Sequence, residues 1–539
     1  GDRMTNVFSK LYSGKKQDLY YERDMSPDRS KKLKKDIKEN EKEVHEYLYD
    51  CDDVITRDFY MGQAQKHEMA LMYIDGMVDK NLVQEEILKS LMLLTRQAPL
   101  EYSLGQNFFN MVKEGLLTAA DIKEVDNFGE VVLGILSGDT ILFMDKFEKA
   151  LIISTRGWEK RGVQEPATEA VIRGPREGFT ETYRVNIALI RRRLKDPNLK
   201  VKTIKLGRHT RTDVGILYIQ GVANPNIVDE VLKRLNTIDM GGVIESGYIE
   251  QMIEGDWLSP FPQLRRTERP DVVAAGLIEG NVAIVTDNTP FVLLAPGTFL
   301  SLFQSPEDYY ERWYIASMIR LLRFTAAFFA MAFPALYIAM TAYHPGMLPT
   351  DLALSIAATR EGVPFSAVVE ALIMVFSLEV LREAGVRLPG PIGQTIGIVG
   401  GLVVGEAAVR AGIVSPIMVI VVAVNAISSF AIPNYSVAIG FRLLTFLFIF
   451  LGTVAGLYGI MLGLLALTIH LVTLKSFGAH YLSPFVSFRF SEGKDFIVRG
   501  PMPSMEIRPG YTRPEDLNRI NDRRHDNSEK AGDESADKQ

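Results

Sequence analysis

The stretch LMYIDGMVDKNLVQEEILKSL, Leu71 to Leu91, returns later in the chain as ILYIQGVANPNIVDEVLKRLN, Ile216 to Asn236. Tyr73 matches Tyr218, Gly76 matches Gly221, Asn81 matches Asn226 and Glu85 matches Glu230. Each copy reads as a buried strand, a turn and an amphipathic helix with Asp or Asn at its start. Further out, ILSGDTILFMD (Ile135 to Asp145) matches LIEGNVAIVTD (Leu277 to Asp287), both read as strand, glycine turn, strand. Another apolar strand comes after each, ALIIST and PFVLLAP. Tyr73 to Gly138 is 65 residues (138 − 73) and Tyr218 to Gly280 is 62 (280 − 218), so order and spacing are both kept.

A duplication of this kind predicts an α+β cytoplasmic part of two duplicated α/β domains. The chain beyond these domains is built for a different solvent. Residues 324 to 474 hold 11 of the 126 Asp, Glu, Lys and Arg, and the remaining 388 residues hold 115. That asymmetry predicts a polytopic α-helical membrane domain after the soluble part. The net charge of −6 averages over both parts and selects no partner. Cys51 is the only cysteine, which excludes an intramolecular disulfide and a cysteine-rich metal site. The first ten residues carry no apolar signal segment, so the polar N-terminal part is expected in the cytoplasm. No HExxH, GxSxG, CxxC or kinase-type constellation is present, and no enzyme activity, cofactor or metal is expected.

The expected organisation is a charged lead-in (1–40), a first α/β domain (41–160), a linker (161–199), a second α/β domain (200–305), a helical membrane domain (306–485) and a charged tail (486–539), disordered toward its end. The linker carries TEAVIRGPREGFTE, Thr168 to Glu181. Its glycines beside arginines fit a phosphate-binding loop, but without a Walker or dinucleotide fingerprint the plainer reading is a joint. Arg173, Arg176 and Glu177 then pair with each other or with a neighbouring domain or subunit. A helix with a basic end, Arg191 to Arg193, comes next.

Five apolar segments make up the membrane part. The first, Phe324 to Tyr343, is preceded by a collar of Tyr309, Tyr310, Arg312, Trp313, Tyr314, Arg320 and Arg323. Along the second, Phe365 to Gly385, Ser366, Glu370, Met374 and Ser377 share a face, with Glu379 opposite. Acids at membrane depth line a watery path or pair within a bundle, so these four are pore-lining candidates; an interfacial amphipathic helix is the alternative. Gly393, Gly397, Gly401 and Gly405 in the third form a helix-packing ladder, and Asn425 in the fourth is interhelical glue. Leu443 to Leu474 is uncharged over 32 residues. It must tilt, break near Gly456 to Gly463, or project. Termini on one side require an even number of crossings, leaving one segment re-entrant or interfacial, the acid-bearing second being the candidate.

Five long motifs, VQEPATEAVIRGPREGFTE, LIRRRLKDPNLK, DNTPFVLLAPGTFLSLFQSPEDYY, LREAGVRLPGPIGQTIGIVGGLVVGEAAV and LKSFGAHYLSPF, resemble in order and spacing the A subunit of the GerA family of bacterial spore germination receptors, including its stage V sporulation AF relatives. The resemblance implies a protein of the spore inner membrane, with a transporter-like B subunit and a lipoprotein C subunit as partners. It also implies a homo-oligomer that forms an ion channel whose opening starts germination. Membrane lipid is an expected partner and nucleic acid is not. An AF-like amplifying channel subunit and a non-conducting scaffold are the alternatives.

Overall fold

The computed structural model describes residues 31–61, 67–92, 106–113, 121–157, 165–166, 168–387, 401, 403–486, 495 and 497–519. In the first repeat, helix α1 (Ile37–Tyr47) leads into strands β1 (Val54–Met61) and β2 (His67–Ile74). Two helical runs, Leu82–Lys89 and Gln106–Met111, precede β3 (Ile122–Val125), α2 (Phe128–Leu136), β4 (Thr140–Met144) and β5 (Ala150–Ile153). The second repeat runs α3 (Tyr183–Arg191), β6 (Leu199–Leu206), β7 (Thr212–Ile219), α4 (Pro225–Asn236), α5 (Ser246–Ile253), β8 (Arg265–Thr267), α6 (Pro270–Ile278), β9 (Val282–Thr286) and β10 (Val292–Ala295). The sheets have matching orders, β1-β2-β4-β5-β3 and β6-β7-β9-β10-β8, and the pairings are antiparallel.

Both faces of each sheet are covered, which is why the central strands are apolar throughout rather than alternating. Ala70 and Met72 of β2 face α1 and α2. Met69 and Leu71 face the runs holding Ile87 and Phe108. In the second sheet Ile216 and Tyr218 pack under α4 and α5, and Leu217 and Ile219 under α3 and α6. Matching positions also carry matching backbone: Gly76 and Gly221 have φ of 85° and 80°. Asp79 and Asn224 each accept from the N–H two residues on, which opens the next helical run.

The repeat differs from its sequence reading at one element. ILSG and LIEG are not strands but the last turns of α2 and α6. Gly138 and Gly280, with φ of 87° and 89°, close those helices. The next N–H, of Asp139 or Asn281, reaches back to Gly134 or Gly276 at 3.1 and 3.0 Å. A short apolar run before a glycine suits a strand or a buried helix equally, and periodicity cannot separate them. The first unit also starts before residue 41. Leu33 and Ile37, inside the expected lead-in, are buried in its core.

After the sheets come α7 (Trp313–Ala342), α8 (Thr350–Arg360), α9 (Ala367–Arg387), α10 (Pro416–Phe430) and α11 (Tyr435–Thr473). Among the described residues α7 and α11 are long and apolar enough to cross a membrane, with mean hydropathy of 1.7 and 2.2. Helix α11 is broken at Gly456, whose φ 58°, ψ −139° only glycine adopts readily. The chain folds back there. A Cβ at Gly459 would collide with the Leu451 carbonyl, and one at Gly463 would meet the Phe448 ring at 3.2 Å. Gly440 on the first limb lies against the Pro260 carbonyl, while His470 on the second bonds Ser259 at 2.9 Å, so both limbs end on one loop of the second domain. Limbs of about 21 and 17 residues span roughly 31 and 26 Å at 1.5 Å per residue.

Candidate functional site in the helical bundle

Helix directions are fixed by five contacts. Glu370 near the start of α9 meets Ser415 at the start of α10, and Arg382 near the end of α9 meets Ser429 near the end of α10, so the two run the same way. Asn425 lies beside Ala330 of α7, and Gly452 packs on the Ala335 carbonyl. The far end of α7, at Tyr343 and His344, touches the apex at Gly456.

The bundle's polar groups sit at three levels. At the level of the α10 N-terminus, Glu370 is fully buried. Its Oε2 accepts from the Ser415 N–H at 2.8 Å and the Ser415 hydroxyl at 2.7 Å, and its Oε1 from Arg360 Nε at 3.3 Å. A carboxylate at a helix N-terminus satisfies an orphan donor and faces the positive end of the dipole. The described partners of this carboxylate all lie within its own chain, on the inner side of α9. Met374 is buried beside it, Ser377 is half-buried and Ser366 exposed, so the four candidates share a helical face but not a common surface.

The middle level is set by Pro334. A proline inside α7 has no N–H, which leaves the carbonyl four residues earlier without its helical partner. That carbonyl, Ala330, accepts instead from Asn425 Nδ2 at 2.7 Å and Thr445 Oγ1 at 2.8 Å, tying α7 to α10 and α11. At the opposite end, Glu379 bonds Arg382 at 2.5 Å and Arg442 at 2.8 Å, with Arg382 over Phe430 and Arg442 over Tyr435. In the glycine ladder, a Cβ at Gly405 would meet Val419 at 3.4 Å, while one at Gly401 would meet nothing within 4 Å. Gly393 and Gly397 lie outside the described residues.

The arginine and glycine linker docks on the second domain and the foot of α7. Gly174, with φ 137°, lies flat against Tyr310, where a Cβ would come within 2.7 Å of the ring. Glu169 accepts from Thr267 and from the Glu268 N–H. Arg269, fully buried, donates to the carbonyls of Glu169 and Pro175 at 3.0 and 2.8 Å and pairs with Asp271 at 2.9 Å. Glu177 pairs with Arg193 at 2.8 Å and Arg192 at 3.4 Å. Within this chain the Arg176 side chain is 69 % exposed and 4.0 Å from Glu165, and Arg173 is similarly open at 3.9 Å from Glu311, while the buried contacts of the linker are made by Arg269.

Two further buried ion groups went unread in the sequence. Arg191 grips Asp53 through two 2.8 Å bonds, joining the repeats where Cys51 bridges to Val201. Arg320 and Arg323 are buried around Asp308 at 2.9 and 2.8 Å, and Arg320 also reaches Asp495 at 2.7 Å. These two arginines therefore do not form a solvated collar. Their partners, up to 175 residues away, give no local signal. The segment after 500 also returns to the second domain. Arg508 donates to the Ile278 carbonyl, Thr512 to that of Glu279, and Arg519 sits 3.3 Å from the Glu279 carboxylate. Burial pushes Glu279 up to about 7 despite the nearby Arg519. The expected disorder toward the tail's end falls on residues 520–539, outside those described. Among the described residues no group of three or more His, Cys, Asp or Glu is placed to hold a metal.

The chain thus combines twin α/β units with an apolar helical bundle held by internal ion pairs, and two helices of that bundle are long and apolar enough to cross a membrane. Comparison with known proteins gives the family. The chain matches the profile described as Bacillus/Clostridium GerA spore germination protein over residues 42–511. It is 44% identical over 487 residues to spore germination protein KA of Bacillus subtilis (strain 168), covering 90% of this chain and 88% of that one. It is 42% identical over 478 residues to spore germination protein GerLA of Bacillus cereus (88% and 95% covered). It is 45% identical over 493 residues to the uncharacterized membrane protein YfkQ of Bacillus subtilis (strain 168) (91% and 94% covered). A crystal structure of the N-terminal domain of the A subunit of the Bacillus megaterium spore germinant receptor GerK3 aligns with a TM-score of 0.40 at 35% identity, covering 50% of this chain and 97% of that one. The chain belongs to the GerA spore germination protein family.

Proposed function

We propose that the chain is the A subunit of a germinant receptor in the spore inner membrane. Its copies assemble with one another and with a transporter-like B subunit and a lipoprotein C subunit, and the assembly opens a cation path that starts germination. Family membership over most of the chain supports the receptor reading. Helices α9 and α10 run in the same direction, and the break at Gly456 doubles α11. The proposed topology is thus six crossings with both ends cytoplasmic, and α9 is a crossing rather than a re-entrant segment.

The observation that carries the path is the outer side of α9. With Glu370 turned inward, that side presents Val369, Leu372, Ile373, Phe376 and Val380, all exposed, between Ser366 at one end and Glu379 and Glu383 at the other. Copies meeting along it would enclose an apolar constriction with polar mouths, which stays shut by dewetting until it widens. Cation flux across liposomes holding the purified chain is the test. Phe376→Ser, which wets the constriction, should raise resting flux several-fold. A non-conducting scaffold predicts no flux from either protein, and that result would remove the path.

A further inference from the structure

The loop between α5 and β8 leaves two large apolar side chains bare: Trp257 is 80% exposed and Leu258 74%. Their position relative to the bundle is fixed. The next residue, Ser259, bonds His470 near the end of the second α11 limb, and Pro260 lies on Gly440 near the start of the first. Further latches hold the loop from the other side: Tyr481 donates to the Pro262 carbonyl at 2.8 Å and Ser476 to that of Gln263 at 2.6 Å. The outer surfaces of the limbs stay apolar down to this level, with Leu443 and Leu447 exposed on the first and Ile469 and Val472 on the second. If α11 crosses a bilayer, its hydrocarbon edge therefore lies within a turn of Gly440 and His470.

We infer that Trp257 and Leu258 are an interfacial anchor by which the second α/β domain rests in the headgroup layer of the cytoplasmic leaflet. The partner is lipid rather than protein because the loop is pinned to both limbs where lipid-facing surface ends. A tryptophan with an apolar body and an N–H donor suits that layer. Lys475, exposed just beyond the limb, adds a cation at the same level. The inference rests on the membrane reading of the bundle, so its test carries a separate control for that reading.

The chain has three tryptophans, Trp158, Trp257 and Trp313. Two single-tryptophan variants, one retaining only Trp257 and one with all three changed to Phe and Phe450→Trp added, are reconstituted into phosphatidylcholine and phosphatidylglycerol vesicles brominated either near the headgroup or near the chain end. Phe450 is exposed on the first α11 limb, so a tryptophan there reports whether the bundle is inserted. With that reporter quenched in deep-brominated lipid, the inference expects Trp257 to lose most of its emission in shallow-brominated lipid and little in deep-brominated lipid. Leu258→Ser should weaken that quenching at least two-fold while leaving the reporter in α11 unchanged. Trp257 unquenched beside a quenched α11 reporter overturns the anchor alone, and a smaller detergent particle for Trp257→Ser would assign the surface to a second copy instead. Loss of quenching at both sites overturns the membrane reading with it.

Discussion

Replacing Glu370 separates a structural cap from a conducting group. The carboxylate is fully buried and takes three donors, the Ser415 N–H at 2.8 Å, the Ser415 hydroxyl at 2.7 Å and Arg360 at 3.3 Å. Glu370→Gln keeps an oxygen for Ser415 and loses the charge facing Arg360, whose side chain is 24% exposed. With that partner partly solvated, the loss is about 1 kcal/mol. Glu370→Ala strands the α10 N-terminus and the guanidinium together, and removing one member of a buried pair costs about 3–5 kcal/mol. Thermal unfolding of the detergent-extracted chain should therefore rank Ala far below Gln, with Gln close to the parent. Arg360→Ala should destabilise less than Glu370→Ala, because Glu370 keeps both Ser415 donors. Flux through the Gln variant should be close to normal. Equal stability of all four proteins, or a large flux defect in Gln without a stability change, would refute the capping role and return Glu370 to the path.

The same geometry sets other outcomes. Arg191→Ala should destabilise the paired repeats by about 3–5 kcal/mol and expose the segment between them to limited proteolysis, while Asp53→Leu combined with Arg191→Met should recover part of the loss. Gly456→Ala forces a side chain into a glycine-only conformation at about 1–3 kcal/mol, and Gly459→Leu should be worse because of the Leu451 carbonyl, both read as a lower unfolding temperature in detergent. Glu279 is held at about 7 in the fold against 4.5 when free. Its contribution is full below about 4.5 and is lost as pH rises to about 7, so amide exchange at Arg508 to Thr512, corrected for intrinsic rates, should be faster at about pH 8 than at about pH 5.

Local signals made part of this structure legible in the sequence. The duplication was readable because turns with positive φ demand glycine, and Gly76, Gly138, Gly221 and Gly280 mark the same corners of both units. Length and glycine content left a break in the last apolar segment as one of three options, beside tilting and projecting, and Gly456 takes that one. Proline offers a further usable sign: Pro334 frees the Ala330 carbonyl, and Asn425 is a donor that answers it. Helical spacing grouped Glu370 with Met374 and Ser377 but could not say whether that face turns outward or inward, since an acid at membrane depth satisfies either setting until its partner is known. Arg360 and Ser415 flank it at distances of 10 and 45 residues, and only the packed bundle brings both to one carboxylate. Arg191 gave no sign for the same reason, its partner Asp53 lying 138 residues earlier.

Whether copies of the chain surround a path is tested most directly by imaging the detergent-extracted full chain along its symmetry axis. A ring of several copies is expected, with the outer side of α9, at Leu372, Phe376 and Val380, turned toward the axis. A single-copy particle, or a ring with α9 on its lipid-facing rim, would contradict the proposed path.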